Sequence, residues 1–100
     1  MSKLEKEYEQ AFCKEVRGWN KSVRVYKNDP ASTAQGVPDR IVLFDGKFAM
    51  LEFKRSKSAV KQANQDWYVD FYNANNGFAR FVSPENGEEI KKELKRYLGI

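Results

Sequence analysis

Apolar residues recur at steps of three and four near the start of the chain, at Leu4, Tyr8, Ala11, Phe12 and Val16. That spacing predicts an amphipathic helix from about Leu4 to Arg17. Ser2 followed by Glu5 fits a capping box at its start, and Gly18 fits a stop at its end. Val23-Arg-Val-Tyr26 then reads as a short strand. Asn28 to Pro38 is rich in turn residues and short side chains, and reads as a loop. Val37 precedes a proline, which biases it to extended backbone and leads the chain into a strand at Asp39.

From there the pattern changes period. Ile41-Val-Leu-Phe44 and Phe48-Ala-Met-Leu51 are apolar on both faces, as in central strands covered on two sides. Asp45-Gly46 between them is a two-residue hairpin signal, because a type I′ turn needs positive φ at both central positions. The hairpin is expected to run from Asp39 to about Arg55. Ala59 to Asn75 reads as a helix with Val60, Ala63, Trp67, Phe71 and Ala74 as its apolar stripe, closed by Asn76-Gly77. Trp67, Phe71 and Trp19 are expected in the core, and Tyr68 and Tyr72 at a dimer contact. Ala79 to Ser83 reads as a further strand. Pro84 to Leu98 reads as a last helix, with Ile90, Leu94, Tyr97 and Leu98 inward. The predicted order is α-β-β-β-α-β-α, an α/β (α+β) sheet flanked by helices.

One hundred residues suggest one domain, 1–100. Hydrophobic residues at 41% and aromatics at 14% suffice for a small core. The charged N-terminal stretch and the lack of a long apolar run predict neither a signal peptide nor a membrane span, and a cytoplasmic protein. A single cysteine agrees, since no internal disulfide can form; Cys13 is expected as a small buried residue of the first helix. Net charge +4 and pI 9.2 favour an anionic partner such as nucleic acid. The absence of histidine changes the picture most. It excludes Ser-His-Asp and Cys-His catalysis, and zinc sites built on histidine. Hydrolysis in this chain must use carboxylates, lysine and a hard metal.

The hairpin supplies those groups. A turn at Asp45-Gly46 pairs Phe44 with Lys47 and Leu43 with Phe48, which carries the register out to Asp39 facing Glu52. Facing residues have Cβ atoms roughly 4.5–5.5 Å apart. Lys54 lies two residues on, hence on the Glu52 face. Two carboxylates so placed repel unless a cation joins them, and Mg²⁺ or Mn²⁺ takes oxygen ligands. The Phe53 carbonyl is a candidate third ligand. Glu9, on the packed stripe of the first helix, is the preferred further acid, with Glu5 one turn away as the alternative. Arg55, Lys57 and Lys61 follow the site and are candidate phosphate contacts, as is Arg40 beside Asp39.

Gly36-Val-Pro-Asp39, then Glu52-Phe-Lys54, then Gln65 resembles the PD-(D/E)XK nuclease superfamily, and within it the stand-alone VRR-NUC nucleases of phages and bacteria. The resemblance covers nearly the whole chain. It implies a restriction-endonuclease-like core, with Asp39 and Glu52 as metal ligands and Lys54 as the catalytic lysine. Gln65 is implied as a supporting glutamine and Glu9 as the helical acid. It further implies a homodimer cleaving branched DNA such as Holliday junctions. A non-catalytic nucleic-acid binding module on the same fold is the alternative. A protein-interaction domain is a third reading, and it leaves the acidic pair unexplained.

Overall fold

The computed structural model describes residues 3–28 and 36–100, with side chains from Glu5 onward. The expected cap at Ser2 and most of the loop between Asn28 and Pro38 lie outside the described residues. The first helix, α1, spans Lys3–Arg17. It buries Phe12, Cys13 and Val16; Ala11, expected inward, is exposed. Three strands follow: β1 Arg24–Lys27, β2 Arg40–Phe44 and β3 Lys47–Phe53. Helix α2, Gln65–Ala74, leads to β4, Phe78–Val82, and the chain ends in α3, Gly87–Leu98.

The four strands form one mixed sheet in the order β1-β2-β3-β4. The first two pairings are antiparallel and the third, β3 with β4, is parallel. Asp45 and Gly46 both have positive φ, 50° and 75°, as the I′ turn requires. The hairpin therefore takes the expected register, from Phe44↔Lys47 to Arg40↔Leu51.

Strand alternation divides the core in two. Val42, Ala49, Leu51, Phe53 and Val82 face one way, against Phe12 and Val16 of α1 and Ile90, Leu94 and Leu98 of α3. Ile41, Phe48, Met50, Ala79 and Phe81 face the other way, against Val69 and Tyr72 of α2. Buried apolar residues thus lie on both faces of β3, the most enclosed strand among the described residues.

Both later helices start later than their apolar spacing suggests. Residues 59–64, expected helical, form a loop, and α2 opens only at Gln65. Asn64 before it is left-handed, with φ 70°, which cannot continue an α-helix from the N-terminal side. Val60 is consequently 88% exposed instead of being part of a stripe. Trp67 and Phe71, expected in the core, are 59% and 45% exposed. The inward stripe of α2 is Gln65, Val69 and Tyr72. In α3 the expected first turn at Pro84 is a separate turn, held by Asn86 N–H donating to the Ser83 carbonyl at 3.2 Å. Trp19 is half-buried against the α1–α3 side of the core. Among the described residues no helix is long and apolar enough to cross a membrane.

Candidate metal centre

β2 and β3 carry the acidic pair to one end of the sheet. Asp39 immediately precedes β2, and the register continued by one residue sets it opposite Glu52. Asp39 is close enough to act on the Glu52 carboxyl through both its own carboxyl, which favours the protonated form, and its backbone N–H, which opposes it. Glu52 is 5% exposed, in phase with Met50 on the α2 face. Lys54 follows on the same face, its Nζ 4.0 Å from Glu52 Oε2. The Lys54 backbone N–H donates to the Val82 carbonyl at 2.8 Å, which fixes its main chain to the end of β4.

Burial pushes the Glu52 carboxyl up to about 8, with the Asp39 charge adding to the effect and Lys54 opposing it. A carboxylic acid with that affinity for a proton accepts another cation in its place when one is supplied. The donors present are hard oxygens, the set that suits Mg²⁺ or Mn²⁺. The Phe53 side chain belongs to the opposite face, edge-on to Phe12 at 5.3 Å, so only its carbonyl is a candidate ligand.

Two backbone features hold Asp39 in place, one of them outside the motif. Asn28 donates from its backbone N–H to the Asp39 carbonyl at 2.8 Å, and from Nδ2 to the Pro38 carbonyl at 2.5 Å. Sequence reasoning missed Asn28, because its role follows only from β1 pairing with β2 at Lys27↔Arg40. Gly36 has φ +94°, and a Cβ there would lie 2.7 Å from the Asn64 carbonyl carbon and 2.8 Å from the Ala63 carbonyl oxygen. Glycine thus lets the strand bearing Asp39 pass against the chain entering α2.

The expected helical acid is elsewhere. Glu9 is 4% exposed, and its Oε2 accepts from Arg40 Nε at 2.5 Å. Arg40 is in phase with Val42, so it points to the α1 side, whereas Asp39 and Glu52 face α2. Among the described residues no three acidic, histidine or cysteine side chains converge on a metal position. Glu9 is thus paired with Arg40 on the opposite side of the sheet from the acidic pair. Glu5, half-buried and one turn earlier on α1, belongs to the same side of the sheet. Arg40, a candidate DNA contact, is committed to Glu9. Cys13 lies beside this ion pair; burial pushes its thiol up, and Arg40 partly offsets that.

Gln65 is buried at the start of α2, and its Oε1 accepts from the Gln62 backbone N–H at 2.9 Å. It supports the loop that brings Lys57 and Lys61 toward Lys54. Lys61 Nζ lies 4.4 Å from the centroid of the Phe81 ring and 3.0 Å from Asp66 Oδ1. Arg55 and Lys57 are exposed. Comparison of the chain with protein-family models, with curated proteins and with solved structures finds no match.

Proposed function

We propose that this chain is a divalent-metal-dependent nuclease that hydrolyses phosphodiester bonds of DNA. The observation that carries the reading is the Asp39–Glu52 pair: two carboxyl groups set opposite each other by the hairpin register, one of them buried, with a lysine beside them. A fold gains nothing in stability from such a pair, which argues for a role as a cation site. Asp39 and Glu52 would hold Mg²⁺ or Mn²⁺, with the Phe53 carbonyl as a further oxygen. When bound, such an ion lowers the pKa of a water and polarises a phosphoryl oxygen.

The chain's own groups do the rest. Glu52 gives up its proton on taking a cation, which ties activity to pH. Lys54, with its backbone pinned to β4, directs an ammonium toward the phosphate and offsets the charge that develops on the departing oxygen. Gln65 is a positioning residue, acting through the 56–64 loop. The PD-(D/E)XK resemblance at Gly36 to Asp39 and Glu52 to Lys54 supports the same chemistry. Branched DNA as the substrate and a homodimer as the acting form belong to this proposal. The dimer contact is moved from Tyr68 and Tyr72 to the exposed Trp67 and Phe71, whose rings stack at 5.2 Å.

The decisive experiment incubates the pure protein with synthetic junction, flap and linear DNAs, with and without Mg²⁺ or Mn²⁺. Metal-dependent cleavage lost in Asp39→Asn and Lys54→Ala, with DNA binding retained, supports the site. Normal cutting by both variants removes it. Linear DNA cut as fast as the junction removes the preference for branches but keeps the nuclease. A second reading is favoured by the proton that Glu52 retains near neutral pH: a nucleic-acid binding module whose buried acid stays protonated. Binding with no cleavage under either metal would select it.

A further inference from the structure

Beyond Lys54 the chain builds a cleft that the acidic pair does not use. Residues 54–61 form one wall and the turn after β4 forms the other. Lys54, Lys57, Lys61, Ser56, Ser83 and Asn86 contribute its polar lining, around a volume of about 210 Å³.

Three lysines line the cleft. Lys54 is shared with Glu52, and Lys61 with Asp66, whose side chain is 67% exposed. The Lys57 ammonium has no carboxylate partner among the described residues. Its loop is nevertheless anchored, because the Lys57 backbone N–H donates to Glu85 Oε1 at 3.0 Å. The opposite wall is stiff. Asn86 Oδ1 accepts from the Ser83 backbone N–H at 2.8 Å, while Asn86 Nδ2 donates to the Phe81 carbonyl at 3.0 Å. The Ser83 hydroxyl reaches the same Asn86 oxygen at 3.4 Å, a weak bond readily exchanged for a stronger acceptor. Lysines around a cleft with hydroxyl donors fit an oxyanion of high charge.

We propose that this cleft binds a phosphate group, and that on DNA it is the phosphate adjoining the one presented to Asp39 and Glu52. Lys54 stands at the border of both positions, so a strand passing the acidic pair runs directly into the cleft. The inference rests on the nuclease reading for the identity of its ligand, not for the existence of the site. It separates the basic candidates: Lys57 and Lys61 hold the strand, whereas Arg40 is committed to Glu9 and Arg55 lies outside the cleft lining.

The test is an amide NMR titration of the metal-free protein, with inorganic phosphate in one arm and a short single-stranded oligodeoxynucleotide in the other. Saturable shifts at Lys57, Ala59 and Ser83 with the oligonucleotide are expected. K57A and K61A should each weaken oligonucleotide binding about fivefold and reduce its salt slope by about one. K92A, at an exposed lysine of α3 outside the cleft, should leave it unchanged. Shifts in the phosphate arm but none with the oligonucleotide keep an anion site and overturn its assignment to a polynucleotide. No shifts at these amides, or equal weakening by K92A, overturns the site. Failure of each idea is distinguishable: wild-type protein that shows the shifts but cuts no DNA loses the nuclease and keeps the cleft. Protein that cuts DNA without the shifts keeps the nuclease and loses the cleft.

Discussion

Glu52 concentrates the chemistry at the scale of single residues. Burial and Asp39 hold its carboxyl up to about 8, whereas an unfolded glutamate titrates near ~4.3. Between these values the folded protein carries one proton more than the unfolded chain, so stability falls as pH rises. The metal-free protein should show its melting temperature declining from about pH 5 to pH 8, with Mg²⁺ or Mn²⁺ recovering the loss above neutrality. Asp39→Asn removes the second cause of the shift and should flatten that decline in a thermal scan, while lowering cleavage by more than about 100-fold, since losing even an outer-shell partner of a metal costs ~10–100-fold. A melting temperature that rises steadily to pH 8 without metal would contradict the buried acid. Arg40 yields the opposite kind of prediction. Arg40→Ala leaves Glu9 buried without its guanidinium and should destabilise the fold by about 3–5 kcal/mol, read by chemical denaturation. An Arg40 that served DNA alone would show weaker binding and unchanged stability.

The elements show where local pattern suffices. The Asp45-Gly46 turn and strand alternation are properties of neighbouring residues, and they carry the hairpin register through to Arg40↔Leu51. The start of α2 is not of that kind. Val60 and Ala63 match a helical period, yet Asn64 takes a left-handed conformation and Gln65 closes back on Gln62. Gln65→Ala should cost about 1 kcal/mol, as loss of a cap does, and loosen residues 56–64 in hydrogen exchange. Gly36→Ala should cost more, because positive φ and contact with the backbone at residues 63 and 64 both forbid a Cβ. Its expected signature is a lower melting temperature together with lost cleavage, since Asp39 lies three residues on. The aromatics of α2 depart from their apolar spacing for a related reason. Apolar spacing ranks Trp67 and Phe71 with Val60, but the sheet lies under Val69 and Tyr72.

At the scale of the molecule, the sheet separates two groups of acids. Glu5 and Glu9 lie with α1 on one side, and Asp39 and Glu52 face α2 on the other. The Trp67–Phe71 stack is exposed, and the proposal sets a second copy against it. Trp67→Ala combined with Phe71→Ala should convert a sedimenting dimer to monomer with little loss of fold stability, because neither ring is buried. A wild-type monomer at micromolar concentration would remove the dimer from the proposal.

The sequence by itself determined the hairpin, its register, the pairing of Asp39 with Glu52 and the side on which Lys54 follows. Each depends on turn chemistry and a two-residue period, which act between neighbours in the chain. Tertiary structure alone decided which face of the sheet α1 covers, and with it that Glu9 meets Arg40 instead of the acidic pair. It also decided that Asn28 clamps Asp39, and that Ser83 and Asn86 close a cleft on Lys57 and Lys61. Those contacts join residues ten to more than thirty positions apart, and what sets them is the packing of helices on a two-sided sheet, which no local period encodes.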